Sequence, residues 1–141
     1  RKARRGQAAV EFALILPVFL LIVFAAIEFG RAYYITHLLA SAAREGAREG
    51  SLPNRTQADV EDKVQDFIEG VGLDNAETTT TVEVIPAGQT ETDSTRTLAS
   101  ATSGDRVRVR VAYDFDVLTG SIIPGFSGTV TLNGQCAFRH E

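Results

Sequence analysis

An uncharged, almost wholly apolar run of sixteen residues, Phe12 to Ile27, follows a basic head formed by residues 1–6. Extended back to Ala8, the segment has twenty residues. As a helix it would be about 30 Å long, which matches one hydrocarbon core. Four of the fourteen basic residues lie in the first five positions, and this bias predicts a cytoplasmic N-terminus with the rest of the chain outside.

A secretory signal peptide would share the basic head and the apolar run, but a small-x-small cleavage site should follow at once. Here the run is followed by Glu28-Phe29-Gly30-Arg31, and the nearest such triplet, Ala40-Ser41-Ala42, is too far away. The sequence therefore predicts a retained membrane anchor.

Glu11 lies inside the predicted span, where a carboxylate is costly, about 2.5–3.5 kcal/mol at mid-bilayer and less near the edge. It is therefore either an interfacial residue or a residue with a partner.

Helical character continues beyond the membrane, because the chain from Phe29 to Ala47 lacks proline and is rich in helix formers. A four-residue repeat places Ala42, Gly46 and Gly50 on one line of this helix. Small residues at this spacing let another backbone approach closely. That backbone belongs either to the chain's own sheet or to another subunit. Anchor and extension together predict one helix of about forty residues, roughly 60 Å long.

The outer part predicts an α+β domain with a second helix and a short antiparallel sheet. Thr56 and Asp59 form a capping box before a run with helical spacing. Alternation of period two predicts strands at Thr80–Ile85, Asp105–Val117 and Thr129–Phe138, the last two paired antiparallel. Residues 87–104 are predicted to form a long loop with a weak strand near Thr97. The predicted organisation is a head at 1–6, a membrane-spanning and extended helix at 7–50, and an extracytoplasmic domain at 51–141.

Charge and residue types exclude several functions. From Ala32 onward there are nine basic and sixteen acidic residues, a poor balance for binding nucleic acid. The single cysteine, Cys136, falls on the apolar face of its strand, which predicts a buried hydrophobe. The chain has two histidines, His37 and His140, and His140 is predicted to lie in a frayed end. No catalytic, metal or cofactor site is therefore predicted, and no small-molecule substrate.

Two surfaces of the outer domain leave a choice open. The stripe Arg106, Arg108 and Arg110 is predicted to be a solvated face balanced by nearby acids rather than an anion site. The apolar connection at residues 117–126 either folds back on the helix or presents a contact patch.

The N-terminal third resembles the TadE-like family of minor pilins, or pseudopilins, of the tight-adherence (Flp) type IV pilus system. The resemblance rests on residues 5–17 (RGQAAVEFALILP), 27–32 (IEFGRA) and 42–48 (AAREGAR), which occur in order. It implies a pilin-like fold and a structural rather than enzymatic role in pilus assembly or initiation.

The resemblance also implies a processing site and an assembly residue. A prepilin peptidase would cut between Gly6 and Gln7, removing residues 1–6 as a leader. Glu11 would then help align subunits by pairing with a neighbour's N-terminal amine. The implied partners are the membrane, the prepilin peptidase, other pilin-like subunits and the assembly machinery. The implied location is the bacterial inner membrane, as a single-pass protein, or the pilus itself. The rival hypothesis is a membrane-tethered module that binds a ligand or protein outside the cytoplasm without assembling a pilus.

Overall fold

A computed structural model describes residues 3–93, 96–117 and 128–141, with side chains from residue 6 onward. The described elements are two helices, α1 (Ala3–Gly50) and α2 (Gln57–Gly70), and three strands, β1 (Thr78–Ile85), β2 (Arg106–Asp116) and β3 (Thr129–Arg139). Two short 3₁₀ turns lie at Asn75–Glu77 and Leu98–Ser100. The predicted α+β class is confirmed.

Helix α1 is a single element of 48 residues that runs through Pro17 without ending. At 1.5 Å per residue it is about 70 Å long, somewhat longer than the sequence predicts because it already begins at Ala3. It ends at Gly50, where Ser51 caps the last turn by donating its backbone N–H to the Ala47 carbonyl at 3.0 Å. One rigid element therefore joins the apolar run to the outer domain.

The sheet has the order β1-β2-β3, and both pairs are antiparallel. In the central strand, Val109 lies opposite Val82 of β1 and Cys136 of β3. The predicted pairing of the last two strands is confirmed.

Helices α1 and α2 cover one face of the sheet and form the core with it. Alternation along β2 directs its valines inward. The fully buried side chains that meet there include Leu39, Ala42, Ala43 and Ala47 of α1, Val60, Val64 and Ile68 of α2, and Val107, Val109 and Val111 of β2. The second half of α1 is therefore a structural part of the outer domain.

Strand β3 is less buried than its alternation predicts. Val130 and Phe138 are 45% and 39% exposed, and Cys136 is half-buried. The strand lies at the edge of the sheet, and α1 approaches it most closely around Gly134. The ends of its inward face extend past that contact.

Two predictions about loops and ends are wrong. Among the described residues around Thr97, 87–93 and 96–104, no strand forms. The chain forms the turn Leu98–Ser100 instead, because the Ser100 hydroxyl bonds the backbone of Thr97 and competes with strand pairing. His140 is not frayed but buried. Its N–H donates to the Asp105 carbonyl at 2.7 Å, and its Nδ1 lies 3.2 Å from the Gly50 carbonyl.

The predicted capping box at the start of α2 is confirmed. The Thr56 N–H donates to Asp59 Oδ2 at 2.8 Å, and the Asp59 N–H donates back to the Thr56 hydroxyl at 3.3 Å. The backbone N–H of Thr56, followed by its hydroxyl, lowers the pKa of Asp59. This reciprocal pair fixes where the helix begins after the turn at Pro53 and Asn54.

Candidate functional site

The first half of α1, residues 6–27, is an exposed apolar segment that the outer domain leaves almost bare. Phe12 and Leu14 are 64% and 72% exposed, and the other large apolar side chains from Val10 to Leu21 are all exposed as well, the least of them Leu16 at 36%. The helix is long and apolar enough to cross a membrane, and none of its most apolar window is buried within the protein. A helix that is apolar all round needs surroundings other than water.

The three residues of the predicted processing and assembly site lie together at the start of this segment. Gly6, Gln7 and Glu11 are all exposed and helical. A Cβ added at Gly6 would meet nothing within 4 Å, so the fold itself does not require glycine there. Glu11 follows Gln7 by four residues, which places both side chains on one face of the helix. The site is therefore open to another protein along its whole length.

The small residues of α1 lie instead against the chain's own domain. A Cβ on Gly46 would come 2.6 Å from Val64 and 3.3 Å from Val109, and one on Gly50 would come 3.0 Å from Val107. Ala42 is fully buried on the same line. Of the two alternatives that the sequence leaves open, the structure shows the intramolecular one. The small residues bring α2 and the sheet onto α1.

Gly134 of β3 makes a closer approach, which the sequence analysis missed. A Cβ there would overlap the carbonyl carbon of Leu39 and the nitrogen of Ala40, and would lie 2.6 Å from the Leu39 carbonyl oxygen. Backbone therefore meets backbone between β3 and α1. A glycine inside a strand is a signal for such an approach, but the sequence does not identify the partner.

An apolar groove lies between α1 and the end of the β2–β3 hairpin, and we call it the α1–hairpin groove. Its volume is about 570 Å³. The helix side is formed by Leu21, Ala25, Glu28, Phe29, Ala32, Tyr33 and Thr36, and the sheet side by Phe115, Val117, Val130 and Leu132. Beside the groove, the Arg31 guanidinium lies 5.0 Å from the centre of the Phe115 ring. The predictions for residues 118–127 lie outside the described residues.

The arginine stripe on the outer face of the sheet is balanced by an acid, as predicted. Glu83 lies directly opposite Arg108 in the β1–β2 register. Its Oε2 is 3.6 Å from the Arg108 guanidinium and 3.9 Å from that of Arg110. Arg106 donates to the Gln89 carbonyl at 2.8 Å. The acid that balances the stripe is therefore present, but Glu83, Arg108 and Arg110 are half-buried and not fully solvated.

A buried carboxylate, Asp105, fastens the loop between β1 and β2. It accepts from the backbone N–H groups of Ala87 and Thr102, both at 2.9 Å, and from Arg96 at 2.7 Å. The Thr102 N–H is the main cause that lowers the pKa of Asp105, and it outweighs the opposing effect of burial. The sequence analysis assigned Asp105 only to the start of a strand. Its position after the Ser103-Gly104 turn was the available signal.

The remaining titratable groups of the described residues form no chemical site. His37 is exposed on α1 and contacts the Tyr33 ring edge-on at 4.4 Å. Burial, followed by a hydrogen bond with Glu77, raises the pKa of Tyr113 to about 12. Within residues 3–93, 96–117 and 128–141, no three His, Cys, Asp or Glu side chains cluster in a way that could hold a metal ion.

Comparison with known families addresses the first third of the chain. Residues 6–48 match the family model described as TadE-like protein. This TadE-like segment begins at the exposed glycine and includes nearly all of α1, which confirms the resemblance inferred from the sequence. The match indicates a protein associated with the tight-adherence pilus. No curated protein and no solved structure matches the chain.

Proposed function

We propose that this chain is a minor pilin or pseudopilin that acts in the assembly or initiation of a tight-adherence pilus. It acts as a structural subunit, by packing its N-terminal helix, and not as an enzyme. The proposal is supported by the TadE-like match over residues 6–48 together with the structural division of α1.

The observation that carries the proposal is that the two halves of α1 differ in how far the outer domain covers them. The small-residue face of residues 35–50 is occupied by the chain's own domain, so it is not available to a neighbour. Residues 6–27 are exposed almost throughout. An uncovered apolar helix is stable in lipid and can equally pack against other apolar helices. The apolar segment can therefore reside in a membrane first and later pack into a helical bundle of subunits.

Gly6, Gln7 and Glu11 have distinct roles in this proposal. A prepilin peptidase cuts after Gly6, removes the basic leader 1–6 and frees the amine of Gln7. Glu11 pairs with the corresponding amine of a neighbouring subunit. That pair offsets the cost of a carboxylate in an apolar environment, which an isolated acid would leave uncompensated. The partners are thus other pilin-like subunits and the assembly machinery.

Before assembly the protein is a single-pass component of the bacterial inner membrane. The basic head is cytoplasmic and the domain built by residues 51–141 and the end of α1 is outside. The rival hypothesis, a tethered binding module outside the pilus, requires neither cleavage nor Glu11, so both can be tested by substitution.

Replacing Gly6 with leucine should give an uncut protein that inserts into the membrane but does not support pili, because a side chain obstructs the peptidase at the cut. Mass spectrometry of the N-terminus and a pilus count measure the two effects. Gly30→Leu is the matched control, since Gly30 also lies in α1 with open space around its Cα. It should be cut normally. Normal cleavage of Gly6→Leu would contradict the assigned processing site.

Replacing Glu11 with alanine should leave insertion and cleavage intact but abolish pili. Glu11→Gln, which keeps the shape and removes the charge, should fail in the same way if ion pairing is the cause. If Glu11→Ala assembles normally, Glu11 is only an interfacial residue and the pairing mechanism is wrong. If Glu11→Ala forms pili while Gly6→Leu does not, cleavage is still required and only the role assigned to Glu11 is refuted.

A further inference from the structure

The outer face of the sheet carries a patch of positive charge at the end of β2 that lies near the end of α1. We call it the basic patch: Arg106, Arg108 and Arg110 of β2, and Arg139 of β3, which lies opposite Arg106 in the register. In the described ion pairs the acid next to these arginines is Glu83, at 3.6 and 3.9 Å from two of the guanidinium groups. Its Oε2 accepts no hydrogen bond within the described residues. Four guanidinium groups against one carboxylate leave an excess of positive charge and N–H donors for an acceptor from outside.

Helix α2 carries the opposite charge on the side turned away from the core. The buried residues of α2 are Val60, Val64 and Ile68. Asp62, Asp66 and Glu69 are exposed, and at about 100° per residue they point away from the buried side. We call these three residues the acidic stripe. The basic residue of α2, Lys63, lies to one side of the stripe.

The acidic stripe and the basic patch lie at the same level of α1. A Cβ on Gly46 would lie 2.6 Å from Val64 of α2 and 3.3 Å from Val109 of β2. Val64 lies midway between the first two acids of the stripe, and Val109 lies between the second and third arginines of β2. The lengths also match, because the stripe spans about 10 Å of helix and the three arginines of β2 span about 13 Å of strand.

The two charged surfaces lie on opposite sides of the outer domain. The helices cover one face of the sheet, the basic patch is on the other face, and the acidic stripe faces outward from the helix layer. Within one chain they therefore do not meet. Copies that stand in one membrane with the same end in the cytoplasm share one orientation. A sideways shift without any rise then brings the acidic stripe of one copy to the basic patch of the next.

We propose that copies of this chain associate side by side in the membrane, with the acidic stripe of one copy against the basic patch of its neighbour. The contact joins two different surfaces, so each copy keeps one of them free and the association extends beyond two copies. Exposed ion pairs are individually weak and are screened by salt. The membrane makes this contact effective, because it fixes the orientation of the copies and raises their local concentration. The inference rests on the proposed membrane placement of α1 and goes beyond the pilus role.

Cysteine cross-linking tests the contact in phosphatidylcholine vesicles that contain only the full chain. In a Cys136→Ser background, the helix-cysteine chain carries Gln65→Cys beside the acidic stripe. The sheet-cysteine chain carries Ala137→Cys, opposite Arg108 in the register, and both positions are exposed. Mixed before reconstitution, the two chains should be joined by a short bis-maleimide, and neither should be joined to itself. A chain with both cysteines should give a ladder of dimers, trimers and longer species. Ala99→Cys, on an exposed turn, is the control and should not be joined to the sheet-cysteine chain.

Charge reversal provides the matched variants. Asp62→Lys with Asp66→Lys on the helix-cysteine chain should abolish the cross-link, whereas Asp62→Glu with Asp66→Glu should retain it. Arg108→Glu with Arg110→Glu on the sheet-cysteine chain should also abolish it. Mixing the two reversed chains should restore the cross-link, because the attraction is then present with its signs exchanged. With unreversed chains the yield should fall several-fold at about 1 M salt, where the screening length is about 3 Å.

The possible outcomes separate this inference from the proposed function. A cross-link that survives reversal of the exposed acids of α2, with an unchanged circular dichroism spectrum, would refute the contact. Cross-linking of the sheet-cysteine chain to itself would show a two-fold contact between sheet faces and would also overturn the inference. A chain that does not float with the vesicles contradicts the membrane placement on which the inference depends. A chain that floats but is not cross-linked refutes only the side-by-side contact, and the pilus proposal, which is tested at Gly6 and Glu11, stands.

Discussion

Single residues decide how closely the sheet can approach α1. Gly134 permits backbone contact between β3 and the helix at Leu39 and Ala40, while Gly46 and Gly50 admit the valines of α2 and β2. The sequence shows the spacing of Gly46 and Gly50 but not what occupies it. Gly134 carries no pattern at all, because one glycine in a strand does not reveal which backbone lies against it.

Gly134→Ala should destabilise the outer domain by about 2–3 kcal/mol or more, because the new Cβ overlaps backbone that cannot move as a side chain would. Thermal unfolding of the full chain in detergent, followed by circular dichroism, measures the loss. Gly70→Ala is the matched control. It lies at the end of α2 with nothing within 4 Å of the added Cβ, and should be neutral or stabilising by up to about 1 kcal/mol. Equal effects at both positions would refute the close approach.

Asp105→Asn should destabilise the domain by about 2 kcal/mol, because the donors of Thr102, Ala87 and Arg96 lose a buried, charged acceptor. The pKa of Asp105 is lower in the folded state than its ordinary value. Its contribution is therefore complete above an unfolded pKa of about 3.9 and is lost as pH falls through the folded pKa.

The difference in stability between wild type and Asp105→Asn should accordingly shrink as the pH is lowered from about 5 towards 2. Chemical denaturation at several pH values measures it. Asp62→Asn, at an exposed position of α2, serves as the control and should track the wild type. A difference that stays constant with pH would show that the charge of Asp105 is not what stabilises the loop.

At the scale of elements, the sequence predicts which segments are helix or strand better than it predicts where domains divide. The period of two along β2 and the capping box of α2 are local signals, and both are confirmed. The weak strand near Thr97 is wrong because side-chain bonds within the turn replace strand pairing. The domain boundary predicted after Gly50 follows the change in composition there. The hydrophobic core, however, includes residues on both sides of Gly50.

A fragment that starts at Arg31 should fold, and one that starts at Ser51 should not. The shorter fragment loses Leu39, Ala42 and Ala47, which are fully buried, and exposes the inward face of β2. The lost helix supplies a large part of the core, and small domains are usually stable by only about 5–15 kcal/mol. Dispersion of amide resonances in nuclear magnetic resonance spectra distinguishes the two. Equal dispersion in both fragments would place the domain boundary at Gly50 after all.

At the scale of the molecule, charged and apolar surfaces occupy separate, successive parts of α1. The basic head lies at one end, the bare apolar segment follows, and the acidic domain is built on the far half of the same helix. With α1 placed in the membrane as proposed, its continuity puts the domain on the side opposite the head. The match at residues 6–48 covers the bare half and most of the covered half, so it includes both the anchor and the support of the sheet.

The orientation can be tested with a reporter fused after Glu141. The Glu141 N–H donates to the Ser51 carbonyl at 3.1 Å and His140 is buried, so a flexible linker is needed to preserve the end of the chain. Alkaline phosphatase in this position should be active, since it works only outside the cytoplasm, and a green fluorescent protein that folds only in the cytoplasm should stay dark.

Replacing Arg4 and Arg5 with glutamate should reduce the phosphatase signal, because the basic flank sets the orientation. A fluorescent fusion with inactive phosphatase would reverse the orientation, and the pilin proposal would fail with it.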